Sequence, residues 1–478
     1  MINHAFIGRE PELNRLQTLL TKKTASLVVV TGRRRVGKSR LIEQFAKGYL
    51  FYSFSALAPA EGMTAQLQRD EFAKGLSTQL GAPPLRADDW SDLFSYLAKQ
   101  TQKGRVIILF DEISWMAMND VTFLGKLKNA WDNEFKKNPE LILVLCGSVS
   151  TWIEKNIISS TGFYGRISLY PTIEELPLSD CNKMLDNMGV KMSAYEKLKI
   201  LSVTGGIPWY LEHIQPKLNA DENIKNLCFK KDGLLFKEFE LIFHDIFLKR
   251  SEIYKPIVEK LAEKPLEFAE IAEALKYSNS GALSEYLEDL IKTGFITRDF
   301  TWLPKTGNMS RLSHFRLSDN YLRFYLKYVL TNKNKILNDA FENFSMSSLP
   351  GWNSMMGLQF ENLVLKNRKK IHALLKINPE DIVVSNPFFQ RKTTRMPGCQ
   401  IDYLIQDRFG TMYVCEIKFS KNVIKSDIID EMKNKISKFK LPRNMACRIV
   451  LIHVNGISDD VLESQYFSDV INFTDLLN

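Results

Sequence analysis

Long apolar runs are missing from this chain of 478 residues. The longest, around Leu27–Val30, Val106–Phe110 and Leu141–Cys146, are strand-sized. A membrane helix needs roughly 18 apolar residues, so none of them is read as a span. The N-terminus sets Arg9, Glu10 and Glu12 where a signal peptide would carry an apolar core, and no export signal is expected. Cysteine is also thin. Six residues, Cys146, Cys181, Cys228, Cys399, Cys415 and Cys447, are scattered with no CxxC pair. That spacing speaks against a disulfide framework and a zinc site, and it suits a reducing cytoplasm. Repeats and low-complexity linkers are absent as well, which leaves changes of pattern as the guide to domain boundaries.

The composition, 45% hydrophobic and 25% charged, is that of a soluble globular protein with material for several cores. The length suggests about three domains. Net charge is +9, which permits nucleic-acid binding without demonstrating it. Residues 1–210 alternate buried-looking strands with helical stretches, the mark of a layered α/β fold. Residues 211–250 are helical in period and read as a linker. Residues 251–330 read as helices followed by a small hairpin, and 350–478 return to mixed α and β.

The strand Leu27–Thr31 runs directly into Gly32-Arg33-Arg34-Arg35-Val36-Gly37-Lys38-Ser39, which fits GxxxxGK[ST] without a mismatch. Arg40 follows, then Leu41, Ile42 and Phe45 on one helical face. Glycines let such a loop curl its N–H groups toward phosphate oxygens, and the helix N-terminus adds favourable potential. Lys38 would reach the β- and γ-phosphates of ATP, and Ser39 would ligate Mg²⁺. A second apolar strand, Val106–Phe110, ends in Asp111-Glu112. Asp111 would hold the Mg²⁺ shell, and Glu112 would orient and deprotonate the attacking water. The third, Leu141–Cys146, ends in Gly147-Ser148, where Ser148 would either sense the γ-phosphate or simply end the strand.

These motifs, with Phe6-Ile7-Gly8-Arg9-Glu10, Leu13 and Leu16 before them and Thr204-Gly205-Gly206-Ile207-Pro208 after them, resemble the archaeal-type ATPases, AAA-related P-loop proteins of the STAND-like branch. The resemblance covers essentially the whole chain. It implies that the segment containing Gly8 and Arg9 covers the adenine or ribose, and that Gly206 and Pro208 close the nucleotide pocket from a helical subdomain. It also implies that Arg166 approaches the phosphates, although on the residues alone Arg166 is equally a surface cation. AAA relatives often form rings, but Arg166 is too slender a basis for inferring an oligomer.

In the middle region, cap-type Ser278-Asn279-Ser280 precedes a helix with Leu283, Leu287, Leu290 and Ile291 on one face. Strands at Phe295–Arg298 and His314–Leu317 follow. Helices followed by a hairpin describe a winged helix, which the family resemblance also implies. Its outer face carries Glu285, Glu288 and Asp289 against the single cation Lys292, a poor match to a phosphate backbone. An interdomain role is therefore expected over base reading.

The last region offers Glu361 on a helix, then Gln400–Ile405, a turn at Asp407-Arg408-Phe409-Gly410, and Met412–Phe419. Folding about that turn sets Asp402 almost opposite Glu416, with Lys418 on the same strand face as Glu416. Two facing carboxylates repel unless a cation lies between them, so Asp402, Glu416 and the helical Glu361 are expected Mg²⁺ ligands. Lys418 would position or activate a water. The pattern resembles the PD-(D/E)xK nucleases, which implies a restriction-endonuclease-like domain. Arg391, Lys392 and Arg395 precede the motif, and Lys421, Lys425, Lys433, Lys435, Lys438, Lys440 and Arg443 follow it. Such a run is either a surface for a phosphate backbone or a solvated helix face. The expected architecture is an α/β P-loop NTPase core with a helical subdomain, then a winged helix, then a restriction-endonuclease-like domain. Two functions fit: ATP turnover coupled to binding or cutting DNA or RNA, or a nucleotide-controlled switch whose nuclease-like domain binds a protein partner.

Overall fold

The computed structural model describes residues 6–478 except 82, 84, 149, 150, 248–250, 278, 279, 342, 343, 395, 396 and 440. Ser278, Asn279, Arg395 and Lys440 thus lie outside the described residues. The described chain forms two compact units, Phe6–Leu176 and Pro177–Asn478. Among the described residues, no helix is long and apolar enough to cross a membrane.

The first unit is built on a parallel sheet of β1 (Ser26–Gly32), β2 (Leu50–Ser55), β3 (Val106–Asp111), β4 (Ile142–Ser148), β5 (Ile167–Leu169) and β6 (Thr172–Ile173). The order is β2-β3-β4-β1-β5, with β6 also on β1. Every residue of β1 is buried, as expected for a parallel strand covered on both faces. The three apolar runs read from the sequence are therefore the three central strands. One face packs on an aromatic cluster. Phe72 stacks on Phe54 at 4.5 Å between centroids and meets Phe110 edge-on at 5.4 Å; Phe94 stacks on Phe110 at 5.8 Å. Each such pair adds about 0.5–1.5 kcal/mol beyond its buried area. Together they anchor Phe110, the residue immediately before the acidic turn.

The second unit contains a three-stranded antiparallel sheet, β7 (Leu266–Glu267), β8 (Ile296–Trp302) and β9 (Met309–Leu317), in the order β7-β9-β8. Helices Ser251–Glu263, Phe268–Ala274 and Ser280–Lys292 precede the β8–β9 hairpin. A second sheet runs β10 (Ile382–Gln390), β11 (Cys399–Asp407), β12 (Thr411–Lys418), β13 (Ala446–His453) and β14 (Asp469–Asn472). Its first three strands are antiparallel and its last three parallel. The β11–β12 turn is set by Asp407, whose carboxylate accepts from the N–H groups of Phe409 (3.0 Å) and Thr411 (2.7 Å), and by Gly410 at φ 82°. That turn fixes the register, Tyr403 opposite Cys415 and Leu404 opposite Val414.

The hairpin is locked onto the second sheet. Trp302 Nε1 donates to Gln406 Oε1 (2.9 Å), Gln406 Nε2 donates to the Pro304 carbonyl (3.1 Å), and the His314 ring stacks on Phe389 at 3.6 Å. Beside it lies a buried polar network. Arg316 binds Asp299 (2.8 Å) and Asn362; Asn362 donates to the Leu317 carbonyl (2.9 Å) and Asn320 (3.0 Å). Gln359 donates to the carbonyls of Ser202 (2.6 Å) and Asn320 (2.7 Å) and accepts from Arg323 (3.1 Å). Buried networks of this kind favour one arrangement, since each broken link strands a buried polar group. Gln359, Glu361 and Asn362 all belong to the Trp352–Lys366 helix. That helix is thereby tied both to the hairpin and to the Ala194–Thr204 helix.

Candidate functional site

The loop after β1 folds as its glycines require. A Cβ at Gly32 would come within 2.5 Å of the Ile173 carbonyl oxygen, and Gly37 sits at φ 90°, the left-handed region that side chains resist. Gly37 then opens the Lys38–Phe45 helix, whose Leu41, Ile42 and Phe45 are buried. Lys38 is buried and donates to the carbonyls of Gly32 and Arg33, both at 3.2 Å. Its ammonium thus lies across the curl of its own loop. The Ser39 hydroxyl donates to Asp111 Oδ2 at 2.6 Å, so two residues expected to share a cation are already in contact.

Glu112 follows with φ 54° and ψ 52°, an unusual backbone for a non-glycine residue. Such outliers persist only where surrounding structure enforces them. Its carboxylate accepts from the Ser148 backbone N–H, and Oε2 is buried with no hydrogen-bond partner among the described residues. Burial pushes its pKa up, and Asp111 adds to the rise against the opposing pull of Lys38 and Arg34. Ser148 reaches this centre through its main chain, paired with Gly32 across β1 and β4.

The remaining expected residues divide. Gly8 is buried at φ 70°. Arg9, also at φ 70°, is buried, and its guanidinium donates to the carbonyls of Val36 (3.1 Å) and Glu174 (2.6 Å) while pairing with Glu12. It buckles the N-terminal segment to the loop. Arg33 pairs with Glu175 at 3.5 Å, Arg35 has φ 70°, and Arg34, Arg35 and Arg40 are half-buried. Arg166 is held by Asp132, with Nη2 to Oδ2 at 2.8 Å and Nε to Oδ1 at 3.0 Å, and Lys128 and Lys136 share that carboxylate. Three cations around it hold Asp132 well below the usual carboxylate range, the Arg166 hydrogen bond contributing most. Pro208 opens the Pro208–Leu211 helix and, with Gly206, belongs to the second unit.

In the second unit the register sets Asp402 one step beyond Tyr403 and Glu416 one step beyond Cys415, so the two carboxylates do face each other. Asp402 Oδ2 accepts from the Ile417 N–H at 2.9 Å. The cation between them is an ammonium. Lys435 Nζ binds Glu416 Oε2 and lies 3.7 Å from Asp402 Oδ1. Lys418, expected beside the carboxylates, instead pairs with Glu431 and is half-exposed. Burial raises Glu416, with Asp402 next, to about 7. The same two causes raise Glu361 to about 7, which puts Glu361 in the field of Asp402 and of Arg316 and Arg323. Among the described residues, no group of three or more His, Cys, Asp or Glu side chains is arranged to hold a metal ion. Of the expected ligand set, Asp402 and Glu416 are thus closed around Lys435, and Glu361 lies in the field of Asp402.

Sequence reasoning passed over Lys435 as a site residue, although a signal existed. Ile428, Met432 and Lys435 recur at i, i+4 and i+7, and the first two are buried, so Lys435 continues the sheet-facing stripe. The helix Ser280–Lys292 exposes Glu285, Glu288 and Lys292, whereas Asp289 is drawn inward by the Tyr254 hydroxyl at 2.7 Å.

Comparison with known proteins bears on the first unit as a domain. Residues 6–214 match the family model of an ATPase domain predominantly from Archaea. The chain carries an ATPase domain of this archaeal type. It is similar to an uncharacterized protein of Methanocaldococcus jannaschii, 26% identical over 379 residues that cover 78% of this chain and 79% of the relative. Its fold is similar to that of a Walker-type ATPase of Pyrococcus abyssi, with a TM-score of 0.51 at 18% identity, over 67% of this chain and 96% of that one. The parallel sheet and loop described above are thus those of a P-loop NTPase core.

Proposed function

We propose that this chain hydrolyses ATP with Mg²⁺ and uses turnover to control a restriction-endonuclease-like domain acting on nucleic acid. The observation that carries the hydrolytic half is Glu112: a carboxylate in an enforced backbone conformation, with one buried oxygen lacking a partner among the described residues, beside a Ser39–Asp111 pair. Mg²⁺ bound in such sites is shared with phosphate oxygens, so two protein ligands suffice. When bound, the cation would neutralise charge on the phosphates. Lys38 would turn from its own loop carbonyls to the phosphates, Ser39 and Asp111 would hold the cation, and Glu112 Oε2 would accept the proton of the attacking water. Gly32, Arg33, Arg34, Arg35, Val36 and Gly37 would supply the N–H cradle.

The controlled half rests on the Asp402–Glu416 register, the neighbouring Glu361 and the exposed cations Lys421, Lys425, Lys433 and Lys438. In this reading the helices and hairpin of 251–330 are a winged helix used as a brace. Plasmid cleavage with Mg²⁺ and with Mn²⁺, for wild type, Lys38→Ala and Glu416→Gln, tests it. Cleavage by wild type that is lost in Glu416→Gln and altered in Lys38→Ala is expected. ATP hydrolysis with intact DNA and RNA in every reaction would remove the nuclease half.

One observation favours a second reading, a nucleotide-controlled switch whose C-terminal domain binds a protein partner. Lys435 neutralises the carboxylates from within the chain, and a self-neutralised site needs no metal. A partner recovered equally by wild type and Asp402→Ala, after nuclease treatment, is the outcome that reading expects.

A further inference from the structure

The Asp427–Lys438 helix is seated on the second sheet by Ile428 and Met432, which are buried with Ile401, Leu404 and Val414 of β11 and β12. Cys399 Sγ of β11 lies 3.7 Å from the Lys435 carbonyl oxygen, so the backbone at Lys435 is close against that strand. Glu431 and Lys435, four residues apart, share one helical face. Glu431 pairs with Lys418 of β12, while Lys435 Nζ bonds to Glu416 Oε2 and lies 3.7 Å from Asp402 Oδ1. One helix thus draws the lysine of the strand away and sets another between the carboxylates. Asp402 Oδ2 accepts from the Ile417 N–H at 2.9 Å, and it is Oδ1 that lies near the ammonium. A divalent cation bridging Asp402 and Glu416 would need the place that Nζ holds, and two cations a few ångströms apart repel. The Lys435 side chain keeps 24% of its surface exposed, against 9% for Glu416. Its flexible four-carbon stem can therefore turn the ammonium out to water while the helix stays in place.

We propose that Lys435 is an autoinhibitory gate, an ammonium that holds the Asp402–Glu416 pair closed to divalent cations until it swings away. The inference rests on the reading of that pair as a metal site, given above, and adds how access to it is controlled. The gate is the side chain alone, since the helix that carries it is fixed by its apolar face. Lys418 has no part in it, because Glu431 holds that lysine aside.

Calorimetric titration of Mn²⁺ into the nucleotide-free full chain tests the gate. Wild type, Lys435→Met and Lys418→Met are each compared with and without Asp402→Asn, so that binding at this pair is told apart from binding elsewhere. Lys435→Met keeps most of the stem and removes the charge. It should bind Mn²⁺ at least about tenfold more tightly than wild type, and Asp402→Asn should abolish the gain. Lys418→Met, which removes a charge from a half-exposed pair, should stay within about threefold of wild type. Thermal unfolding gives a second readout, with Mn²⁺ raising the midpoint of Lys435→Met more than that of wild type. Should Lys435→Met not fold, Lys435→Gln carries the same expectations. Equal, Asp402-dependent Mn²⁺ affinity in wild type and Lys435→Met would overturn the gate and leave the metal reading standing. An equal gain in Lys418→Met would overturn it too, since any loss of positive charge would then suffice. Absence of Asp402-dependent binding in every variant would overturn the gate and the metal reading together.

Discussion

Each unit of this protein carries two carboxylates brought together on a sheet with a lysine nearby, and the lysine behaves differently in the two. In the first unit Lys38 bonds to the carbonyls of its own loop, and Asp111 and Glu112 are held by a hydroxyl and backbone N–H groups. Negative charge there is oriented but carries no ion pair with Lys38. In the second unit Lys435 reaches across from the Asp427–Lys438 helix and pairs with both Asp402 and Glu416. A pair left open to an external cation suits metal-dependent chemistry, whereas a pair closed by an internal cation is a stabilising element first. Any metal at the second site must displace an ammonium, whereas at the first Lys38 is bonded to the carbonyls of its own loop.

The sharpest way to break this comparison is to remove each lysine. Lys38→Ala should lower ATP hydrolysis at least about a hundredfold, with little loss of stability, because its bonds are to backbone carbonyls of its own loop rather than to buried charge. A steady-state ATPase assay beside thermal unfolding checks both parts. Lys435→Ala should do the reverse: ATP hydrolysis unchanged and stability reduced by about 3 kcal/mol, since two largely buried carboxylates lose their counter-ion. Lys418→Ala, whose partner Glu431 is exposed, should cost under about 1 kcal/mol by the same denaturant titration. Equal losses for the two lysines would contradict the assignment of Lys435 as the internal cation.

Smaller effects test the bracing of the second unit. Trp302→Phe removes the donor to Gln406 and leaves that buried amide short of a partner, a loss of about 1–3 kcal/mol measurable by urea unfolding. His314 gives a pH signature. Burial holds its pKa below the ordinary value, outweighing Glu270 and Asp299, with Lys264 adding to the depression. The unfolded chain therefore binds a proton near pH 6.5 that the folded chain resists, so His314 costs stability as pH falls through and below that value. The difference between wild type and His314→Phe should shift against wild type on going from pH 7.5 to 5.5. A pH-independent difference would show that the stacked ring is not held neutral.

How much of this was legible follows from how local each feature is. GRRRVGKS lies within one strand, one turn and one helix start, so residue type and spacing suffice, and the parallel core follows from the three apolar runs. The facing of Asp402 and Glu416 was readable too, because a four-residue turn sets a hairpin register. Lys435 lies 19 residues from Glu416, and its meeting with the carboxylates depends on how a whole helix is phased on the sheet. The pairing of Arg166 with Asp132 and the brace from Gln359 to Ser202 are tertiary in the same sense. The place of β4 between β1 and β3 is not legible either, because strand order is a global property that no local pattern encodes.

The most direct test of the account is Glu112→Gln. This substitution keeps size and hydrogen-bonding capacity and removes the base. ATP binding and single-turnover hydrolysis should be measured on the same preparation. The account predicts wild-type affinity for ATP with hydrolysis slowed by about 10²–10⁴-fold. Hydrolysis at the wild-type rate would contradict it, and the enforced backbone conformation of Glu112 would then need another explanation.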